Sequence, residues 1–299
     1  MSGNIIVACF GEILWDILPT GKQPGGAPFN VAVHLRQLGL PVRFISRVGN
    51  DEPGTELLNF VASKGVATNL IQHSNTQLTG VVNANVDDAN EVTYTIVQPV
   101  AWDYIHFDAT AEAAVATADA FVFGSLAARQ ANTRETLYRL LESAKFKVFD
   151  VNMRPPHYAR EVVEYLLGQA NLVKMNHHEL AEIMGWLGGD TDPAVAMPWL
   201  ATRFSLQAVC VTCGAAGALL WTNGQLYRSP GVPVAVQDTI GSGDAFLAAL
   251  LKCWLTGQPP ADALRFACAA GALVATQPGA TPTLAEADVR ALMGVVSGS

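Results

Sequence analysis

The sequence predicts an α/β protein: a doubly wound, mostly parallel sheet flanked by helices, with a small β-sheet lid. Three observations carry this. Short β-branched runs alternate with longer helical patterns over most of the chain. Several of the runs are apolar at consecutive positions, as strands buried on both faces require. Between Val66 and Gln98, strand-like pieces follow one another with no helix between them.

Taken in order, "NIIVACF" reads as the first strand, and a strand around Ile13 to Leu18 follows it. "APFNVAVHLRQLG" reads as a helix closed by Gly39. "VRFISRVG" is the next strand and "EPGTELLNFVASKG" the next helix. "VATNLIQ", "LTGVVNANV" and "EVTYTIVQ" are consecutive strand pieces, the last two joined by a hairpin turn at Asp87-Asp88-Ala89-Asn90. "AFVFGSL", "FKVFDVN" and "ANLVKMN" have the look of buried parallel strands, each followed by a helix such as "NTRETLYRLLESAK" or "HELAEIMGWL". "LQAVCVTCG" and "GALLWTNG" form a further strand pair, and the helices "GDAFLAALLKCWLTG" and "ADALRFACAAGALVAT" come after them. No repeat, charge block or Ser/Gly linker divides the chain, so residues 1–299 read as one domain. The lid strands are inserted at about 12–20 and 78–100, where they can cover the carboxyl ends of the parallel strands.

Composition narrows the function. Half of the 299 residues are hydrophobic and 15% are charged, which supports a sizeable core and argues against disorder. The net charge of −8 repels phosphodiester backbones and makes nucleic acid a poor partner. Five cysteines without framework spacing suit a reducing compartment. The N-terminus has no basic signal-peptide region, and no stretch approaches the ~18–20 apolar residues of a membrane span. A soluble, cytoplasmic protein is expected.

The most informative stretch is "QDTIGSGDAF", Gln237 to Phe246. Gly241, Ser242 and Gly243 precede Asp244 and an apolar helical pattern, so their N–H groups are expected free at a helix N-terminus. Free donors and the positive end of the helix dipole make an anion site. A phosphate bound there sets Asp244 beside it, able to take a proton from an attacking hydroxyl. A Ser or Asp helix cap with glycines making the turn explains the same residues, and the local sequence does not choose between the two. The stretch is neither a Walker loop, since no Gly-Lys-Ser/Thr occurs, nor a dinucleotide fingerprint, since Phe246 stands where a third glycine is needed. Near the other end, Gly25-Gly26 opens a helix with Asn30 in its first turns, and Asp16 ends a strand. Adjacent glycines permit close approach of a ligand, and Asn30 and Asp16 offer hydrogen bonds to a polyol. Singly, a turn, a helix start and a solvated strand end account for them better.

Together, "GGAPFNVA" and "DTIGSGDAF" resemble the two signatures of the ribokinase-like (PfkB) family of carbohydrate kinases. "DVNMR" at Asp150 to Arg154, "NHHE" at Asn176 to Glu179 and "TCGAAG" at Thr212 to Gly217 fall between them in the family's order. The resemblance runs from "GEILWD" to "PGATPT", essentially the whole chain. It implies a kinase that moves the γ-phosphoryl of ATP to a sugar hydroxyl, with Asp244 as base and the Gly241–Gly243 amides as anion hole. Asn176 and Glu179 are then expected to organise Mg²⁺ through water, with the metal riding mainly on ATP phosphates. Thr212, Gly214, Gly217 and Cys268 line the nucleotide site, and Asp16, Gly25, Gly26, Asn30 and Arg154 hold the sugar. Family members commonly hold K⁺ beside the anion hole, at positions matching Asp238, Ile240, Val274, Gln277, Gly279 and Thr283, mostly through backbone carbonyls. Exposed lid strands often pair between subunits in this family, which allows a homodimer through the lid.

Some residues depart from the family pattern. Ser242 stands where alanine is frequent, and Cys213 and Cys268 place unusual thiols at the nucleotide site. Cys210 and Cys213 form C-x-x-C within a strand pattern, without a second pair, so core packing is the better reading than zinc. "YTIVQPVAWDYI", "GSLAAR" and "FDVNMRPPHY" are more similar to bacterial fructokinases than to ribokinases or 2-keto-3-deoxygluconate kinases, which points to D-fructose phosphorylated at its 6-hydroxyl. Tyr94 and Trp102 are candidates to close over the sugar ring, or else pack the lid. Arg154 equally suits the carboxylate of 2-keto-3-deoxygluconate. Ribokinase and nucleoside kinase remain rivals within the family. A non-catalytic sugar or nucleotide sensor on the same fold is expected to lose the base or the anion hole, and this chain keeps both.

Overall fold

A computed structural model describes residues 5–18, 21–86 and 92–296. From the N-terminus, β1 (Val7–Phe10) leads to the antiparallel pair β2 (Leu14–Leu18) and β3 (Gly21–Gly25), then to α1 (Ala27–Gln37). Next come β4 (Val42–Gly49), α2 (Glu52–Ser63) and β5 (Ile71–Ser74), then a second antiparallel pair, β6 (Gly80–Val86) and β7 (Val92–Ile96). Strict alternation follows through α3 (Ala109–Ala116), β8 (Ala120–Gly124), α4 (Ala131–Ser143), β9 (Lys147–Asp150), α5 (Arg160–Gln169) and β10 (Leu172–Asn176). Then come α6 (His177–Leu187), α7 (Pro193–Phe204), β11 (Ala208–Thr212), β12 (Ala218–Thr222) and β13 (Gln225–Ser229). The last helices are α8 (Ser242–Leu255), α9 (Pro260–Ala275) and α10 (Glu286–Val296).

The larger sheet has the order β13-β12-β11-β10-β9-β8-β1-β4-β5, parallel from β11 to β5 and antiparallel in the β13-β12 and β12-β11 pairs. Side chains alternate across it. Val7 and Cys9 face a core shared with α1, α2, α8 and α9, whereas Ala8 and Phe10 face one shared with α3 to α7. Burial on both faces is why the strands read as continuous apolar runs.

The smaller sheet, β3-β2-β6-β7, is made from the two insertions after β1 and β5. Of the three consecutive strand pieces, the first lies in the large sheet as β5, pairing with β4. The turn at 87–91 lies outside the described residues. Two strands are additional to those expected from the apolar pattern. β3, "GKQPG", has no alternation and carries Pro24, yet it is the edge strand beside β2, where a missing N–H is tolerated. β13 has a readable signal: Asn223 and Gly224, at φ 52° and 75°, form the two-residue turn that favours Asn-Gly. No helix among the described residues is long and apolar enough to cross a membrane.

Candidate functional site

The chain runs outward from β1 through β4 to β5, and in the other direction from β8 through β9 and β10 to β11, so the winding reverses between β1 and β8. A crevice at the carboxyl ends of such strands is where this class of sheet takes ligands. Glu12 lies just beyond β1, Asp150 ends β9, Asn176 ends β10 and Thr212 ends β11. The N-termini of α1 and α8 face the same region.

The start of α8 argues against a side-chain cap. Its N-cap is Gly241, at φ 77°, with no side-chain cap. A Cβ there would lie 2.2 Å from the Ala280 carbonyl oxygen, so only glycine fits the turn. Ser242 Oγ has no partner and is not a cap. The N–H groups of Gly241 and Gly243 have no hydrogen-bond partner among the described residues. That of Ser242 turns back to Thr239 O at 3.2 Å, so two of the three expected amides are free. Asp244 sits in the first turn, partly buried.

Gly26 is the N-cap of α1 at φ 115°, and a Cβ on it would lie 2.4 Å from Glu12 O. A Cβ on Gly25 would lie 2.3 Å from Asp16 Oδ2, so the glycine pair lets the Asp16 carboxylate lie against the backbone. Asn30 is buried in the first turn, and its Nδ2 donates to Asp244 Oδ2 at 2.8 Å across 214 residues of sequence. The sugar and base candidates thereby meet.

Electrostatics at this point are unusual. Burial, with Asp150 adding to it, pushes Asp244 up to about 6, against the pull of Lys174, Asn30 and Arg154. Burial also pushes Asp16 up to about 6, with Arg154 opposing. Glu12 is buried and pushed up to about 7; its Oε1 accepts from the Ala27 N–H at 3.2 Å. Burial opposes the charge of Lys174, but the carboxylates of Asp150, Asp244 and Glu179 outweigh it and hold the ammonium above its ordinary value. Lys174 Nζ donates to Asp150 Oδ1 at 3.0 Å and lies 3.2 Å from where a Cβ of Gly243 would stand. Glu12 Oε2, Asn30 Oδ1, Asp150 Oδ2 and Ser242 Oγ are buried without partners. Such atoms gathered in one place are what a polar ligand satisfies.

Asn176 and Glu179 form a capping box at the start of α6. Glu179 accepts from the N–H groups of Asn176 and Met153, both at 2.8 Å, leaving one lone pair on each oxygen for a metal-bound water. Among the described residues no cluster of three or more His, Cys, Asp or Glu side chains forms a direct metal cage. Thr212, Gly214 and Gly217 lie around the β11–β12 turn, where a Cβ on Gly217 would lie 2.1 Å from Ser229 O. Cys268 of α9 is buried against this turn and interacts with Ser229 and Cys213. All five thiols are free, and Cys210 is buried in the core. Asp238 ties two loops together, accepting from the N–H groups of Ile240 at 3.0 Å and Gly279 at 3.1 Å. Val274, Gln277 and Thr283 belong to the second loop and its approach; Val274 O already accepts from the Gln277 N–H at 3.0 Å.

Arg154 is exposed, with Nη1 3.1 Å from Met153 O, and its charge acts on Glu12, Asp16 and Asp244. Trp102 packs in the protein interior and not on an accessible face of the lid. It is fully buried, with the Arg129 guanidinium 3.9 Å above its ring. A Cβ on Gly80 would lie 2.4 Å from its Nε1, so the short turn at 101–104 carries the indole into the core. The side chain of Tyr94 lies outside the described residues.

Three further residues belong to the site although the motifs do not mark them. Lys174 sits mid-strand among apolar residues, and a lysine inside a buried strand is the available signal. Glu12 shows in the sequence only as a residue that breaks the first apolar run. His34 has no signal: it lies buried in α1, donating from Nε2 to Ala280 O at 3.0 Å, and so holds the loop against which Gly241 packs.

The sequence matches the pfkB family carbohydrate kinase model over residues 16–287. It is 32% identical to a fructokinase of Klebsiella pneumoniae over 95% of this chain and 97% of that protein. The fold superposes on the ATP-bound fructokinase of Xylella fastidiosa with a TM-score of 0.87 at 26% identity, covering 99% and 100% of the two chains. A Vibrio cholerae O395 fructokinase, solved with fructose, ADP and calcium ion, gives 0.83 at 25% identity over 97% and 99%.

Proposed function

The chain belongs to the pfkB family of carbohydrate kinases, and on that premise we propose that it transfers the γ-phosphoryl of ATP to the 6-hydroxyl of D-fructose. One observation carries the chemistry: Asp244, bonded to Asn30, beside two unpartnered backbone N–H groups at a helix N-terminus. In this reading Asp16, Gly25, Gly26, Asn30 and Arg154 hold the sugar. Asp244 takes the proton of the attacking hydroxyl, and the Gly241 and Gly243 amides receive the negative oxygens of the phosphoryl group. Lys174 keeps Asp244 ionised and adds positive potential beneath the same oxygens. Thr212, Gly214, Gly217 and Cys268 border the nucleotide.

The free Oδ2 of Asp150 and the remaining lone pairs of Glu179 fit a hydrated Mg²⁺ carried on ATP, with Asn176 holding the cap that orients Glu179. When bound, such an ion would supply charge neutralisation to the phosphates. The loops joined by Asp238, reaching Ile240, Val274, Gln277, Gly279 and Thr283, fit a K⁺ site that orients the 241–243 turn. The small sheet is read as a lid that excludes water from the reaction, and Ile17 and Leu78, exposed on or beside it, support a homodimer through that surface. The family match runs from within β2 to beyond β13 and takes in strands of both sheets, which supports reading the chain as one catalytic domain; use of ATP supports a cytoplasmic site of action.

An ADP-release assay with Mg-ATP and single acceptors tests the substrate. Fructose is expected to exceed ribose, adenosine and 2-keto-3-deoxygluconate widely in kcat/KM, since buried polar groups left unpaired reject the wrong sugar. The exposed guanidinium of Arg154 favours one second reading. If 2-keto-3-deoxygluconate is turned over best, Arg154 is a carboxylate clamp and the acceptor assignment is wrong.

A further inference from the structure

A cavity of about 180 Å³ outside the site described above is lined by Gln98, Ser125, Arg129, Arg134, His157 and Tyr158. It exceeds about tenfold the ~10–15 Å³ that one water needs. No carboxylate lines it. Asp103 is engaged by Arg129 from the protein interior, and Glu182 accepts from the Tyr158 hydroxyl.

Three features give this cavity an anion's chemistry. Arg129, with its side chain 3% exposed, bonds Asp103 and Val97 O through Nε and Nη2, while its Nη1 has no partner. Nη1 itself has almost no accessible surface, so Arg129 gives the cavity wall a positive charge that Asp103 only partly offsets, and its unpaired N–H favours an anionic oxygen nearby. Arg134 adds a second guanidinium, of which Nη1 reaches Ala128 O at 3.2 Å. Ala159 and Val162, which border the cavity, belong to the start of α5, a ten-residue helix with no side-chain cap. The Val162 N–H turns back to Ala159 O at 3.1 Å, so the first-turn N–H groups of Arg160 and Glu161 are the ones without a partner among the described residues, at the positive dipole end that borders the cavity. His157, held below its ordinary value by burial and by Arg129, adds a neutral ring N–H, while the Tyr158 hydroxyl is already given to Glu182.

We propose that this cavity binds a phosphate or phosphomonoester dianion, separate from the anion hole at 241–243. Its wall is coupled to the sugar side: the His157 N–H donates to Arg154 O at 2.7 Å, within the turn that presents Arg154. Occupancy holds that turn in place.

The test is calorimetric titration with inorganic phosphate, and separately with a hexose 6-phosphate, at constant ionic strength with chloride as control. The catalytic site is first filled with a non-hydrolysable ATP analogue and sugar. Binding is expected to persist in the filled enzyme and to weaken at least about tenfold in Arg134→Glu, where repulsion replaces a charge-assisted hydrogen bond. Arg134→Lys is expected to retain most of the affinity, and a wild-type unfolding midpoint for Arg134→Glu shows that the loss is not misfolding. The tighter of the two ligands identifies the source of the phosphate group. Loss of binding once the catalytic site is filled, or equal affinity in Arg134→Glu, overturns the proposal.

Discussion

Replacing Asp244 by Asn separates a base from a structural cap, because the two roles predict opposite changes in stability. The amide oxygen introduced by Asp244→Asn can still accept from Asn30 Nδ2, so the 2.8 Å contact across the site survives. Without a base, turnover is expected to fall ~10²–10⁴-fold while ATP still binds. Folding should move the other way. The Asp244 pKa rises from 3.8 to about 6 on folding, with burial the leading cause. A carboxyl with a raised folded pKa gives its full stabilisation below the unfolded pKa and loses it as pH climbs through about 6. At pH 7 the ionised group therefore costs about 2 pKa units at 1.36 kcal/mol each, about 3 kcal/mol at most and nearer ~1–2 for a partly exposed group. That figure already contains the favourable pull of Lys174. Asp244→Asn should therefore unfold a few degrees higher at pH 7, with the gain vanishing near pH 4. Steady-state kinetics, nucleotide titration and thermal melts at both pH values check this. Near-normal turnover, or a loss of stability at pH 7 with chemistry intact, refutes the base assignment.

Lys174→Met removes the cation that favours ionised Asp244, so the acid limb of kcat/KM, expected near pH 6, should move up by about one unit. The same change strands Asp150 and should cost about 3–5 kcal/mol; an unmoved limb with lower stability would make Lys174 a packing residue only. Rates in K⁺ should exceed those in a bulky organic cation at equal ionic strength, and Asp238→Ala should erase the difference; equal wild-type rates argue against a site. Trp102→Ala should lose about 3–5 kcal/mol of stability, as a fully buried aromatic does, with little change in sugar KM. A raised KM at unchanged stability would return the indole to the sugar pocket.

The sequence alone carried the alternation of strand and helix, because burial on both sheet faces forces apolar runs that are visible without coordinates. It also marked both ends of the candidate crevice. Gly25, Gly26, Gly241 and Gly243 stand where backbone must turn sharply or lie close to other groups, and those demands are local. What depended on contacts between distant segments was not legible. β3 is a strand only because β2 lies beside it, and its own residues carry no such preference. Trp102, beside the lid in sequence, was carried into the core by a turn and by the space left at Gly80. The chemistry shows the same division. "GSGD" raised the expectation of an anion site, but the absence of a side-chain cap, the diversion of the Ser242 N–H to Thr239, and the meeting of Asn30 with Asp244 are tertiary facts. The raised affinity of Asp244 for its proton is another, since it is set by burial and by Asp150 and Lys174, which lie on other strands. Residue type is written in the chain; the dielectric and the neighbours that tune it exist only once the sheet has brought those strands together.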